Sequence, residues 1–576
     1  MKKIFLQAQL LFIFLISNLF LFSKCNIIFS KDSGFYPEEF LLTLSSSEKN
    51  SKIYYTIDGT NPTNLTSAKE YKEPILIKDR SKEPNYLSSY EEDSSSQLSI
   101  SLNANYKKPN FLVDKSMIIR AVLKNENGFG KIYDKTYFIT TDDLIKYEDY
   151  TVISLVTNPE NFFSADIGIY VTGSSFIPNE NNICINGCNF INRGKEWERE
   201  ASITIFEKGE ISIEENAGIR IKGASTRGYP QKSFNIFFRK KYGKNKIISD
   251  NLFPRNIDIN RNTINRYDSF SLKAISDDKS VRDKFANKLI CDRKLLATPT
   301  DMKAAALFLN GEFWGLYLIN EKLDEKFFQN HYNIPKEDII FMKNYKMESG
   351  TNGDLENLLN FMSLYSEKDL TDIKNYNDVC DIIDIDSLIE HYAAGIFLGT
   401  VDWPNLNFGM WRNNGTKIDN NIYSDGKWRF LTFDLDFSII YDYEQYITDE
   451  EGFKYNKFES LTDPEGFGSY PPTSLFLALL KNEEFRTKFE RIYEEYANEV
   501  MTMDRVEPIL EEYEEIGDLY SLSIARWNSQ NISKIENIQN NKSYFKNKIL
   551  PQIKKFFENR AEVTLEHMRK FLKEFE

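Results

Sequence analysis

The pattern of apolar residues changes character once along this chain, and that change limits the folds open to it. Up to about residue 320 the apolar residues come in short runs of strand length: Phe40 to Leu44, Lys52 to Ile57, Met117 to Val122 and Lys135 to Ile139, then Ala217 to Lys222, Ser233 to Phe238, Ser269 to Ile275, Ala306 to Leu309 and Gly315 to Ile319. From Asp386 onward helical spacing dominates, at Asp386 to Leu398, Thr473 to Leu480, Glu483 to Tyr496 and much of 504 to 573. Strands first and helices later predict an α+β protein with two lobes and a cleft between them. At 576 residues the chain also exceeds what one hydrophobic core supports, so more than one domain is expected.

Residues 33–140 read as a separate all-β sandwich. Its second run, Lys52 to Ile57, ends in the turn former Asp58-Gly59-Thr60. Within it, 79–110 is rich in Ser, Glu, Asn and Tyr without periodicity and reads as a flexible loop insertion. The mixed domain then occupies 150–576, with the stretch Glu484 to Glu576, broken by Pro508 and Pro551, forming amphipathic helices that close its larger lobe. Trp403, Trp411 and Trp428 are expected in the core.

Residues 1–25 open with Met1-Lys2-Lys3 and continue apolar from Ile4 to about Phe22, the pattern of a secretory signal; an uncleaved anchor is the alternative reading. Export would place the protein outside the cell or at its surface, with no membrane contact beyond this segment. Cys184 and Cys188 are spaced to close a small disulfide loop there. The formal charge of −14 argues against nucleic acid as a partner, and three histidines leave little for a histidine metal centre or a Ser-His-Asp triad.

Three segments carry candidate chemistry. Gly218 to Phe234 runs a strand into a loop of small and hydroxylated residues, Gly223-Ala224-Ser225-Thr226-Arg227-Gly228, and reaches a basic residue, Lys232, before the next strand. Such a loop lets backbone N–H groups approach phosphate oxygens, although most loops of this kind are plain hairpins. In Gly399 to Arg412, Asp402 and Asn407 stand five apart, the interval by which a phosphoryl-transfer loop aims one side chain at a hydroxyl and another at a metal ion. The apolar run Lys427 to Phe433 then ends in Asp434-Leu435-Asp436, where a carboxylate leaving a buried strand suits a hard divalent cation. A glycosidase reading of Asp434 and Asp436 is weak, because the two do not flank a bond.

Taken in order with Tyr267 to Phe270, Ser280 to Asp283, Asn310 to Tyr317 and Asn320 to Asp324, these segments resemble the spore-coat protein H (CotH) kinase family. The string Tyr54 to Thr63 resembles the small β-sandwich at the C-terminus of chitobiases and β-hexosaminidases. The resemblance implies an atypical kinase fold that transfers phosphate from ATP, with Mg²⁺ or Mn²⁺, to Ser or Thr of secreted or surface-coat proteins. It implies Asp402 as the catalytic aspartate, Asn407 and Asp434 as metal ligands, Lys232 as the phosphate-contacting lysine with Arg227 close by, and Glu321 beside the adenine. Gln231 stands where the family has a first lysine, and the roles of Asp283 and Asp436 stay open. The module implies carbohydrate contact or a spacer. A non-catalytic binding protein on the same scaffold is the rival reading.

Overall fold

The structure, a computed structural model, describes residues 27–576 apart from 91–95, 102–105, 141–144, 178–186, 294, 296, 298–301, 405, 440–450 and 529–531. The expectations on the N-terminal signal and on Cys184 lie outside the described residues. Among the described residues, no helix is long and apolar enough to cross a membrane.

The protein mixes α and β, with a β-rich N-terminal region and a helical C-terminal region. In the first 140 residues a five-stranded sheet runs in the order Gly34–Tyr36, Gly128–Ile139, Met117–Asn125, Lys52–Thr56, Lys69–Glu70. Two short ladders, Ile27–Phe29 with Leu44–Ser46 and Phe40–Leu42 with Ile75–Ile77, share an apolar cluster with it. The turn former acts as its residue types require. Gly59 takes a φ of +84°, Asp58 accepts from the Thr60 backbone N–H and hydroxyl, and Arg120 donates to the Gly59 carbonyl.

The next seven strands close into a barrel: β1 (Val152–Val156), β2 (Arg199–Glu207), β3 (Glu210–Lys222), β4 (Ser233–Phe237), β5 (Ser269–Ala274), β6 (Met302–Leu309) and β7 (Glu312–Asn320). Neighbours around it run β1-β2-β3-β4-β5-β7-β6, antiparallel throughout except where β6 meets β1 in parallel. Closure leaves no unpaired strand edge. Side chains alternate between two apolar clusters. Ala305, Leu307 and Leu309 of β6 fill the barrel, while Met302, Ala306 and Phe308 pack outward. Burial on both faces is why these runs are almost continuously apolar.

After β5, helix α1 (Asp278–Ile290) is capped by Asp277, whose carboxylate accepts from the Ser280 N–H. Val281, Phe285 and Leu289, four apart, bury against the C-terminal helices. A second sheet, β8 (Ile339–Lys343), β9 (Lys346–Ser349), β10 (Phe408–Asn413) and β11 (Arg429–Thr432), is antiparallel in the order β9-β8-β10-β11. The central helix α2 (Ile385–Phe397) is buried along almost its whole length, and Trp403, Trp411 and Trp428 are core residues as expected. Pro551 does not interrupt the chain's helical course: Lys534–Tyr544, the π-helical turn Phe545–Ile549 and Leu550–Leu572 follow one another directly, the π turn lying just before the proline. Pro508 does not break its helix: Met503–Glu515 runs through it, because one lost backbone bond is outweighed by burying Val506, Ile509 and Tyr513.

The reading of 79–110 as a flexible insertion is corrected. Leu87, Ile100 and Tyr106 are buried and join the cluster that fills the barrel. Several polar groups around them are paired. Glu312, itself buried, accepts the backbone N–H groups of Tyr86 at 2.6 Å and Ser88 at 2.8 Å. Ser99 and Gln97 carbonyls accept from Thr172 and Gly173, and Tyr106 accepts from Arg526. Three separated apolar residues that plug a barrel show no helical or strand period, which is why the segment looks structureless in sequence. Glu312→Ala should leave the buried Ser88 N–H and the half-buried Tyr86 N–H without an acceptor and cost about 1–3 kcal/mol. A urea unfolding midpoint equal to the parent's would show that the plug is not held this way.

Candidate active site

The loop carrying Asp402 and Asn407 joins α2 to β10 and lies along the segment that follows β11. Val401 N–H donates to the Phe437 carbonyl at 3.0 Å and Ile439 N–H to the Leu398 carbonyl at 3.0 Å. Asp402 is anchored through its neighbour. The Trp403 indole N–H donates to His391 Nε2 of α2 at 2.9 Å. Burial pulls the His391 pKa down to about 3, so the ring stays neutral and keeps its acceptor nitrogen.

Asn407 and Asp434 both adopt left-handed backbone conformations, with φ of 57° and 58°. That conformation is uncommon outside glycine and tolerated best by Asn and Asp. It turns the two side chains toward one another's loops. Asn407 Nδ2 donates to Asp402 Oδ2 at 2.9 Å and to the Asp434 carbonyl at 3.2 Å. Asp402, Asn407 and Asp434 therefore meet in one place, 27 residues of chain closing between the last two.

A residue absent from the sequence expectations joins them. Lys273 of β5 donates to Asp283 Oδ2 of α1 at 2.5 Å and to Asp434 Oδ1 at 2.8 Å. Asp283 spends its other oxygen on the Leu435 N–H and on Asn287, both at 2.8 Å, and so fixes the turn just beyond Asp434. Burial alone would lower the Lys273 pKa, but Asp283, Asp434 and Asp436 together raise it well above the ordinary lysine value. In return Lys273 holds the Asp434 carboxyl below its usual range. Lys222, at the end of β3, faces the same group; burial and Lys273 bring its pKa down to about 8. The signal for Lys273 was available: it is the lone charge in the strand Ser269–Ala274.

The electrostatics separate the carboxylates. Asp402 is pushed up to about 6, by burial and then by the Asp434 charge. Asp436 is raised further by the same two causes. Asp434 keeps 48% of its side-chain surface open to solvent. These hard oxygen donors suit Mg²⁺ or Mn²⁺: the open Asp434 carboxylate, the Asn407 side-chain oxygen, Asp436, and Asp402 Oδ1, which is buried and has no hydrogen-bond partner. Among the described residues no three His, Cys, Asp or Glu side chains stand together as a metal cage. Mg²⁺ commonly takes one or two carboxylates and completes its shell with phosphate and water, so the donor set fits that use.

Lys232, Arg227 and Glu321 do not join this cluster. Lys232 has no solvent exposure; its ammonium donates to the carbonyls of Ile100 at 2.8 Å and Tyr229 at 2.7 Å and sits over the Phe190 ring. Its sequence position explains this. Lys232 shares the parity of Phe234 and Ile236, which point into the barrel, whereas Lys273 alternates with the inward Leu272 and Ala274 and points out. Arg227 clamps its own loop, donating to the carbonyls of Gly223, Ile221, Phe190 and Asn192. Glu321 is buried and accepts from Asn256 at 2.6 Å, with His331 Nε2 at 2.8 Å. The expected phosphate and adenine contacts are thus replaced by structural ones at these three residues.

Two measurements check the electrostatics. Lys273→Met leaves Asp283 buried without its cation and should cost on the order of 3–5 kcal/mol of stability. The raised Asp436 carboxyl binds its proton more tightly folded than unfolded, so it withdraws stability as pH rises from the ordinary carboxylate range toward neutral. In metal-free buffer Asp436→Asn should therefore unfold at higher urea than the parent at pH 8, the gain shrinking toward pH 4. A gain that grows on acidification would contradict the assignment.

Residues 219–564 match the CotH kinase protein family, and residues 42–137 match the family described as Fn3 associated. None of the curated proteins compared with the chain matches it. The first match covers more than half of the sequence and spans every residue of the acidic cluster and Lys273. The chain belongs to the CotH kinase protein family and is a kinase-like protein.

Proposed function

We propose that this protein is a two-lobed atypical protein kinase, with the barrel and α1 as one lobe and the second sheet with the C-terminal helices as the other. It transfers the terminal phosphate of ATP to Ser or Thr side chains of secreted or surface-coat proteins, with Mg²⁺ or Mn²⁺. The observation that carries the reading is the double ion pair of Lys273. One cation bridges a helix carboxylate, Asp283, and the carboxylate that ends an apolar strand, Asp434, directly beside the Asp402–Asn407 loop. Phosphoryl transfer needs little covalent help from a protein; it needs cations and metal ligands arranged around the phosphate oxygens and an acceptor held in line.

Lys273 takes the role first expected of Lys232. Its ammonium lies on the face shared with Lys222, and the two supply positive charge where the phosphates would lie. Asp434 and Asn407, with Asp436 adjacent, hold the divalent cation, which when bound neutralises charge on the phosphate oxygens. Asp402 accepts the proton of the acceptor hydroxyl; its pKa near 6 leaves it mostly ionised at neutral pH yet basic enough to take part. The loop Ala224 to Thr226 is exposed above Lys222 and is stiffened by Arg227, so its backbone can close over a phosphate without losing much entropy. Export by the N-terminal signal and carbohydrate contact by the β module complete the proposal.

The purified full chain, incubated with labelled ATP, Mg²⁺ or Mn²⁺ and generic acceptor proteins, should incorporate phosphate. Asp434→Ala should abolish transfer and metal-dependent nucleotide binding. Asp402→Asn should spare nucleotide binding and cut the rate by about 10²–10⁴. Lys273→Ala should weaken nucleotide binding, whereas Lys232→Ala should change stability and leave nucleotide affinity near the parent's. If Asp434→Ala, Asp402→Asn and Lys273→Ala all behave as the parent, the site is not the seat of transfer, and a binding scaffold becomes the better account.

A further inference from the structure

The hairpin joining β8 to β9 turns through two residues only, since Lys343 pairs with Lys346. Asn344 and Tyr345 between them have φ of 47° and 56°. A two-residue hairpin turn with positive φ at both positions is ordinarily Asn-Gly, because glycine takes the second position without strain. Here the second residue is a tyrosine, for which a left-handed backbone is a true outlier. Glycine would make the same turn at rest; what the tyrosine adds is its ring.

That ring lies on Phe408, with centroids 5.2 Å apart and planes 26° from parallel, and Tyr470, just before the helix Pro471–Leu479, lies 6.0 Å from it. The turn backbone holds the same residue: Asn344 N–H donates to the Phe408 carbonyl at 2.7 Å. Phe408 is wholly buried and follows Asn407 directly. Its ring also meets Phe430 at 5.9 Å and His391 at 6.4 Å. The Asp402–Asn407 loop is therefore held at both ends by aromatic rings, through Trp403 on His391 at one end and through Phe408 against Tyr345 at the other. The Tyr345 phenol oxygen is buried and has no hydrogen-bond partner among the described residues, so the contact is made by the ring and not by the hydroxyl.

We propose that Tyr345 is a positioning residue for Asn407: the strained turn carries its ring onto Phe408, and Phe408 in turn fixes the side-chain amide that bridges Asp402 Oδ2 and the Asp434 carbonyl. Asn407 has a left-handed backbone of its own, and a neighbour free to turn would let it relax to the commoner region. That Asn407 holds a metal ion rests on the kinase reading; the clamp on its loop does not. Residues that orient a metal ligand from behind tune affinity for the metal without touching it.

Tyr345→Gly keeps the hairpin, because Asn-Gly is the favoured pair for this turn, and removes only the ring. In the full chain with ATP, Tyr345→Gly should raise the Mg²⁺ concentration giving half-maximal transfer by about 10–100-fold. Tyr345→Phe should match the parent, since it keeps the ring and discards only an unpaired hydroxyl. Added to Asn407→Ala, Tyr345→Gly should bring no further loss, because both act on one group. Hydrogen exchange of the Leu406 amide, which donates to the Asp402 carbonyl at 3.1 Å, is a readout that needs neither metal nor activity. It should quicken in Tyr345→Gly, with amides of the barrel strands unchanged, and keep the parent's rate in Tyr345→Phe. Unchanged exchange at Leu406 in Tyr345→Gly overturns the proposal, as does an unchanged Mg²⁺ requirement where the parent transfers phosphate. Tyr345→Phe behaving like Tyr345→Gly also overturns it, because the hydroxyl would then hold the loop. If the parent transfers no phosphate, the kinase reading falls, and the exchange comparison alone decides the clamp.

Discussion

Lys273 is the constraint around which the site is organised. A lysine on a barrel strand with only 17% of its side-chain surface exposed must be paired, and its two partners come from different parts of the chain, Asp283 ten residues on and Asp434 a further 151. Satisfying that one ammonium docks α1 on the barrel and draws the end of β11 to the same spot. Asp283 then uses its second oxygen to hold the Leu435 N–H, which sets the left-handed turn at Asp434 and leaves its carboxylate open. The bond from Asn407 to the Asp434 carbonyl adds the Asp402–Asn407 loop. Each contact presupposes the one before it, so the cluster forms as a unit or not at all.

The barrel makes this possible by giving its strands two inner faces rather than one. Its interior is filled by alternate residues of all seven strands, together with Leu87, Ile100 and Tyr106 from the N-terminal module. Its outer face packs on α1 and on the helical region. Lys222 and Lys273 lie on the outer face, where Lys273 pairs with Asp283 and Asp434. The module is joined to the barrel by more than the plug: Ser116 N–H donates to the Gly311 carbonyl, Phe313 N–H to the Asp114 carbonyl, and Lys135 pairs with Glu214. Module and kinase-like domain share a core boundary, which argues against the first as a detachable spacer.

Lys273 depresses Asp434, while burial and the Asp434 charge raise Asp402 and Asp436. Neighbouring acids are thereby pushed apart in proton affinity, which is what a site needs if one carboxylate is to bind a cation while another accepts a proton. Neutral His391, held under Trp403, supplies the loop with a rigid support that carries no charge of its own.

Much of this was legible in the amino-acid order. The shift from strand runs to helical spacing, the Asp58-Gly59-Thr60 turn and the buried tryptophans follow from short-range spacing, because turn chemistry and period act over a few residues, whereas the grouping of Asp402 and Asn407 with Asp434, 27 residues beyond Asn407, was implied by the family resemblance alone. What the sequence could not decide is which lysine serves the site. Lys232 and Lys273 both adjoin apolar strands, and only the closure of the barrel settles which face of each strand looks inward; a difference of one residue in parity sends Lys232 into the core and Lys273 out to Asp434. The same holds for the 79–110 plug, whose partners lie many residues away and leave no local period. Local physics determined the elements and the acidic motif, and long-range packing alone decided which charges would face it.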